Sequence, residues 1–121
     1  MTNPIPESTK ADMVRWLLRK RMRLRIRGAS MAPTLNEGDV VFVDTSAYAN
    51  ATPQDGDIVV ANHPQEIGLQ IIKRIEFIDD GGAYLKSDNT TDPGASDSRR
   101  FGLVPLENII GKVTATARAE L

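Results

Sequence analysis

The sequence predicts a small all-β domain with a coiled or barrel-like sheet. Short runs rich in apolar and β-branched residues recur from residue 21 onward, and glycine or aspartate turns separate them. Only one short stretch near the N-terminus could form a helix. Because 121 residues suffice for one core, we expect a single domain over residues 21–121, preceded over residues 1–20 by a tail and a short basic helix.

The first 27 residues contain three kinds of segment. Residues 1–9 carry two prolines and should form a loose tail. Residues 11–20 could form a helix, whose Trp16 could contact a membrane interface or pack onto the domain. Residues 21–27 alternate strictly, which predicts a half-buried strand with arginines on its outer face. Its inward side chains are Met22, Leu24 and Ile26.

The remaining strands follow from apolar runs between turn signals. We predict strands over residues 40–43, 58–61, 67–78, 83–86 and 109–117. The stretch from Ser87 to Gly102 is polar and rich in Asp, Ser and Thr, so we expect a long loop there.

Composition excludes several chemistries. The chain has no cysteine and one histidine, His63, which removes disulfides, thiolate catalysis and a multi-histidine metal site. We therefore expect no metal and no cofactor. No window approaches the ~18 apolar residues of a membrane span, and no secretory signal is present, so we expect a cytoplasmic protein.

Basic residues are concentrated at the start of the chain. Seven of the 15 fall in one stretch: Arg15, Arg19, Lys20, Arg21, Arg23, Arg25 and Arg27. Such a stretch could attract an anionic partner, or it could be a solvated strand face. We expect no nucleic-acid partner, and a peripheral membrane contact through residues 19–27 stays open.

Ser30 is the first candidate for chemistry. It lies in the turn Gly28-Ala29-Ser30-Met31-Ala32-Pro33-Thr34-Leu35, between two predicted strands. A serine framed by glycine and proline in this way can expose its hydroxyl and its backbone N–H to a ligand. Most serines in such turns are simply solvated, so a partner is needed to support a function.

Lys73 is the candidate partner, because it occupies a position where strand alternation predicts an apolar side chain. The odd residues from Ile67 to Phe77 are otherwise all apolar, so strand alternation directs Lys73 into the core. A buried, unpaired ammonium costs several kcal/mol, and the group tends to lose its proton instead. The neutral amine could serve Ser30 as a general base. Alternatively, Lys73 reaches the rim or pairs with a buried carboxylate. The competing base, His63, is predicted to lie at the surface.

Four segments, in order, resemble the boxes of type I signal peptidases, the serine–lysine peptidases of family S26. They are residues 28–35 with Gly38 and Asp39, residues 72–75, residues 87–89 through 96–102, and residues 109–113. The resemblance runs from about Arg25 to Val113. It implies that Ser30 is the nucleophile and Lys73 the general base.

The resemblance also implies roles for neighbouring residues. The loop of Gly28, Ser30 and Met31 would supply the oxyanion hole through the Ser30 backbone N–H, since Gly28 offers no hydroxyl. Asp97 and Arg99 would form an ion pair that supports the site. The family's lysine-orienting serine corresponds to Ala95 here, with Ser96 shifted by one residue.

We expect no membrane anchor before Ser30, and the spacing between Ser30 and Lys73 is short. In these two respects the chain resembles the nickel-type superoxide dismutase maturation proteases. This likeness implies an endopeptidase that removes a leader from a precursor protein. One alternative is signal peptidase-like processing at a membrane surface. Another is a self-cleaving SOS-type regulator, although only 29 residues precede Ser30 and no Ala-Gly dipeptide occurs. A non-enzymatic module that binds anionic surfaces also stays open.

Overall fold

Seven antiparallel strands form one curled sheet in the computed structural model, which describes residues 21–119. The strands are β1 (Arg21–Arg25), β2 (Val40–Asp44), β3 (Ile58–Asn62), β4 (Gln70–Asp79), β5 (Gly82–Lys86), β6 (Val104–Pro105) and β7 (Ile109–Ala117). Their order in the sheet is β1-β2-β7-β3-β4-β5-β6. The predicted all-β class is confirmed. The helix expected within residues 11–20 lies outside the described residues.

The two apolar clusters of the domain share strand β3. Adjacent residues of a strand point to opposite faces, and Val59 and Val60 are both fully buried. Val60 packs with Ile26, Met31, Leu35, Val41 and Val43. Val59 packs with Ala61, Ile75, Ala83, Leu85 and Val104. Strand β3 is therefore covered on both sides, and it holds β4 next to it in a fixed register.

The region predicted as one long loop, residues 87–102, contains a helix. Helix α1 (Ser98–Phe101) begins after Asp97, whose side chain accepts a hydrogen bond from the Arg99 backbone N–H. It ends at Gly102, which adopts a positive φ of 80°. The prediction of an unbroken loop was wrong because a single turn of helix with an aspartate cap leaves almost no periodic signal.

Strand β4 differs from its prediction at both ends. It starts at Gln70 rather than Ile67, and Ile67 and Leu69 are exposed. The register against β5 shifts between Ile75 and Phe77, and Phe77 is also exposed. A bulge of this kind reverses which side chains point inward, so simple alternation fails beyond Ile75. Across the central part of β4, where Lys73 lies, the predicted inward face is correct.

Strand β6 was not predicted, because it is only two residues long and one of them is Pro105. Within residues 21–119, no helix has the length and apolar content required to cross a bilayer.

Candidate active site

The loop that carries Ser30 is closed at its base by the hairpin of β1 and β2. The Ile26 N–H donates to the Asp39 carbonyl at 2.7 Å, and the Gly38 N–H donates back to the Ile26 carbonyl at 2.9 Å. At its turn, Gly28 has a φ of 80°, a conformation that suits glycine. Met31 and Leu35 are buried and anchor the loop to the core. Ser30 is therefore carried by a fixed turn rather than a free loop.

The segment after β5 holds the same loop from the other side. The Asn89 backbone N–H donates to the Ser30 carbonyl at 2.9 Å, and the Asn89 side-chain amide donates to the Ala29 carbonyl at 2.9 Å. The Asp88 N–H approaches the Met31 sulfur at 3.4 Å. These three contacts fix the backbone on both sides of the serine.

A charged bridge ties this segment to β4. The Arg74 guanidinium donates two hydrogen bonds to the Asp88 carboxylate, at 2.9 and 2.8 Å, and the Thr34 hydroxyl donates to the same carboxylate at 2.7 Å. The Arg74 guanidinium and, secondarily, the Thr34 hydroxyl hold the pKa of Asp88 below its usual range against the opposing effect of burial. No local sequence pattern indicates this bridge, because Asp88 lies 14 positions from Arg74 and 54 from Thr34.

Lys73 lies inside the domain and meets Ser30. Its residue is only 6% exposed, and its Nζ lies 2.8 Å from the Ser30 Oγ. Burial lowers the pKa of the Lys73 amine, while the negative charges of Asp97 and Asp92 oppose that shift. The prediction that Lys73 points into the core is confirmed. Among the described residues, no carboxylate lies within ion-pair distance of its amine.

Asp97 is buried near Lys73 and forms an ion pair with Arg99. Its carboxylate accepts hydrogen bonds from the Arg99 guanidinium at 3.0 and 3.1 Å and from the Ser87 backbone N–H at 2.8 Å. Burial opposes ionisation, but these donors outweigh it and lower the pKa of Asp97 to about 2. The expected ion pair of Asp97 and Arg99 is present. The hydrogen bond from the Ser87 N–H joins this ion pair, at the start of helix α1, to the residue that follows β5.

Two other candidates do not meet the lysine. Ser96 is half-buried, and no hydrogen bond joins it to Lys73 in the described part of the chain. His63 is half-buried rather than fully exposed, and its Nδ1 accepts two backbone N–H groups, from Gln65 and Glu66, at 3.0 Å each. Its ring also packs on Phe101, with the ring centroids 4.6 Å apart. The histidine is engaged in local structure and does not line the groove beside Ser30.

A groove of about 380 Å³ opens over Ser30 and Lys73. One wall is formed by β1 and the residues that follow it, and the other by the first half of β4. The lining is mainly apolar, with the guanidinium-bearing residues Arg25 and Arg27 on the β1 side; it comprises Leu24, Arg25, Ile26, Arg27, Ser30, Met31 and residues 69–73. Within residues 21–119, no group of three acidic or histidine side chains is arranged to hold a metal ion.

Comparisons with known proteins agree with this architecture. Residues 9–113 match the profile of the family described as "Peptidase S24-like". The chain belongs to this family. It is 27% identical over 106 residues to mitochondrial inner membrane protease subunit 1 of Mus musculus, which covers 71% of this chain, and 29% identical to the Xenopus tropicalis protein over the same length. It is also 40% identical over 50 residues, or 41% of this chain, to signal peptidase I of Aquifex aeolicus (strain VF5).

The similarity covers only part of each relative. The matched region spans 63% and 62% of the two mitochondrial proteins and 20% of the bacterial signal peptidase. The predicted resemblance to signal peptidases is confirmed at the level of the peptidase family. The narrower likeness to superoxide dismutase maturation proteases stays a prediction.

Proposed function

We propose that the protein is a serine endopeptidase in which Ser30 is the nucleophile and Lys73 the general base. The observation that carries this proposal is the 2.8 Å distance between the Lys73 Nζ and the Ser30 Oγ, with the lysine buried. Burial favours the neutral amine, and only the neutral amine has a lone pair to take the serine proton. Membership of a peptidase family supports the same reaction class.

In the acylation step, the Ser30 Oγ attacks the substrate carbonyl carbon and its proton moves to the Lys73 amine. The negative charge that develops on the carbonyl oxygen can be stabilised by the Ser30 backbone N–H, which makes no hydrogen bond with another described residue. The Lys73 ammonium then returns the proton to the leaving amine as the C–N bond breaks. An ester between Ser30 and the acyl half of the substrate remains.

Deacylation repeats these proton transfers with water. Lys73, neutral again, takes a proton from a water molecule that attacks the ester carbonyl. The proton then passes to the Ser30 oxygen as the ester C–O bond breaks, which releases the carboxylic acid product. The lysine thus acts first as base and then as acid in each half of the reaction.

The groove supports an extended substrate. Among the strands of residues 21–119, β1 is at one end of the sheet order, so its outer backbone groups have no partner strand there and could pair with a substrate strand. The apolar lining near Ser30, from Leu24, Ile26 and Met31, suits small apolar side chains on either side of the scissile bond. Arg25 and Arg27 would favour acidic residues elsewhere in the bound segment.

We further infer that the reaction removes an N-terminal leader from a precursor protein. The first candidate substrate is a nickel-type superoxide dismutase precursor. The 43 positions that separate Ser30 from Lys73 favour it, because they leave little room for the large membrane-docking insertions of larger signal peptidases. Processing at a membrane surface is the second candidate. It is favoured by the names of the relatives, an inner membrane protease and a signal peptidase, and by the exposed side chains of Arg23 and Arg25 in β1.

The decisive assay presents the purified protein with a proteome-derived peptide library and identifies new termini by mass spectrometry. We expect cleavage by the native protein and a loss of at least about a thousand-fold in Ser30→Ala and Lys73→Ala. Ser46→Ala and Lys86→Ala, which change the same residue types outside the site, should cleave normally. Full cleavage by Ser30→Ala and Lys73→Ala would refute the proposal.

Two further arms separate the substrates. The nickel superoxide dismutase precursor should be shortened at one position near its N-terminus when co-expressed with the native protein but not with Ser30→Ala. An intact precursor, together with cleavage of library peptides, would remove that substrate and keep the peptidase. A mass change of the protein itself at mildly alkaline pH, absent in Ser30→Ala, would favour the self-cleaving alternative.

A further inference from the structure

The hydroxyl oxygen of Ser87 is a buried polar atom that plays no part in the proposed mechanism so far. Ser87 is 2% exposed, and its hydroxyl has no hydrogen-bond partner among the described residues. Most buried side-chain polar atoms in folded proteins have such a partner, because an unsatisfied one costs about 1–3 kcal/mol. A residue such as alanine would fill this position without that cost. The presence of a serine therefore calls for a reason.

The sheet register brings Ser87 to the lysine. Strands β4 and β5 are antiparallel, with Arg74 opposite Lys86 and Ile75 opposite Leu85. Continuing this register by one residue places Ser87 opposite Lys73. Opposed residues in an antiparallel pair direct their side chains to the same face, and both Ser87 and Lys73 are buried.

The backbone of Ser87 is fixed from behind. Its N–H donates to the Asp97 carboxylate at 2.8 Å. The Ser87 hydroxyl is also close enough to contribute a little to the low pKa of Asp97, although it makes no well-formed hydrogen bond. The hydroxyl thus lies close to the Asp97 carboxylate, on the face of the sheet to which the register also assigns Lys73.

The proposed chemistry requires an orienting group at this place. A neutral amine has two N–H bonds and one lone pair, and the lone pair reaches the Ser30 proton only when the N–H bonds point elsewhere. In the described part of the chain, the Lys73 Nζ has Ser30 as its one hydrogen-bond partner. An amine with no other partner can rotate about its Cε–Nζ bond and turn its lone pair away.

We propose that Ser87 is the positioning residue for Lys73, with its hydroxyl oxygen accepting an N–H from the amine and its own proton directed to Asp97. The catalytic consequence of this contact rests on the proposed peptidase function, whereas the contact itself does not. The charged groups that act on the amine are Asp97, which is paired with Arg99, and, with a smaller effect, Asp92.

The first test does not depend on catalysis. Protein carrying ¹³C-labelled lysine is titrated by NMR, and the Cε resonance of Lys73 is assigned by its loss in Lys73→Met. In Ser87→Ala the amine loses a polar neighbour in a buried site, so its titration midpoint should fall by about half a pH unit or more. Ser87→Thr keeps a hydroxyl and should restore the midpoint. Ser46→Ala should leave it unchanged.

The second test uses the library peptide that the native protein cleaves best. We expect Ser87→Ala to lower kcat about ten-fold or more with little change in KM, and Ser87→Thr to recover most of kcat. A merely structural serine predicts neither the selective loss of kcat nor the shifted titration.

The outcomes separate the two proposals. If the native protein cleaves nothing but the Lys73 midpoint moves in Ser87→Ala, the peptidase proposal fails and the contact stands. If Ser87→Ala keeps the native midpoint and native kcat, the hydroxyl is idle and the positioning role is overturned. Should Ser87→Ala fail to fold, Ser87→Cys gives the same comparison, because sulfur is a weak acceptor of similar shape.

Discussion

Arg74 and Asp88 form a two-point ion pair, with nitrogen–oxygen distances of 2.9 and 2.8 Å, directly beside the buried lysine. Lys73 and Arg74, which are neighbours in β4, therefore have different roles on opposite faces of the strand. Lys73 points inward to Ser30, while Arg74 points outward to the segment that holds the serine loop. One strand thereby fixes both partners of the proposed dyad relative to each other.

Breaking this ion pair should loosen the serine loop without unfolding the domain. Arg74→Ala removes the two hydrogen bonds to Asp88 and a third, from the guanidinium to the Gly56 carbonyl at 2.8 Å. Because its side chain is 37% exposed, we expect a loss of only about 1 kcal/mol in the free energy of unfolding. The peptidase rate should fall more than this loss alone explains, because the Asp88 segment also holds Ser30. Urea denaturation and the library-peptide assay measure the two effects.

The matched control for Arg74→Ala is Lys86→Ala, which breaks a surface ion pair with Glu76 at 3.2 Å on the adjacent strand. It should change neither stability nor rate by a measurable amount. Equal losses of rate in both variants would mean that the ion pair of Arg74 has no special connection to the site.

Gly111 should tolerate no side chain. A Cβ at this position would lie 2.7 Å from the Asp44 carbonyl oxygen and 2.8 Å from the Val43 Cγ1, where β7 passes β2. Gly111→Ala should therefore destabilise the domain by about 1–3 kcal/mol. Gly94→Ala, whose Cβ would lie no closer than 3.5 Å to any other group, is the control. Equal melting temperatures for the two variants would contradict the close strand approach.

Asp97 should contribute to stability against acid. Its pKa is about 2 in the folded protein, below its ordinary value of 3.8, so the unfolded chain binds a proton more readily. The contribution is present above about pH 4 and is lost as the pH falls toward 2. It amounts to roughly 2 kcal/mol for a shift of this size. Asp97→Asn should be less stable than the native protein at pH 6, and the difference should shrink at pH 2. A constant difference across this range would be inconsistent with the ion pair.

Lys73 should have the opposite relation to pH. Burial lowers its pKa from the ordinary 10.5, so below that value the unfolded chain binds more protons and folding is penalised. The penalty fades as the pH rises toward 10.5. Lys73→Met should therefore be more stable than the native protein at pH 7, with the advantage decreasing by pH 10. A stability advantage that does not depend on pH would argue against a buried, titrating amine.

The pairing of Lys73 with Ser30 could be predicted from the sequence, but the residues that surround this pair could not. The inward position of Lys73 follows from alternation in β4, because a strand has a fixed period of two. The same rule fails at Phe77, since a bulge against β5 depends on the partner strand and leaves no mark in the sequence of β4 alone.

The supporting groups come from longer separations. Thr34 and Asp88 are 54 positions apart, and Asn89 lies 60 positions from Ala29. No local pattern joins such residues, so the network around the serine loop required the structure. Ser87 was visible in the sequence as a polar residue at a strand end. Only its burial beside Lys73 distinguishes it from an ordinary turn serine.

The most direct test of the account is the titration of the Lys73 Cε resonance in the native protein. We predict a midpoint below 10.5, because burial lowers the pKa of this amine, and a changed midpoint in Ser30→Ala because the two side chains touch. A midpoint at or above 10.5 that does not respond to Ser30→Ala would show a charged lysine without contact to the serine, and would contradict the proposed dyad.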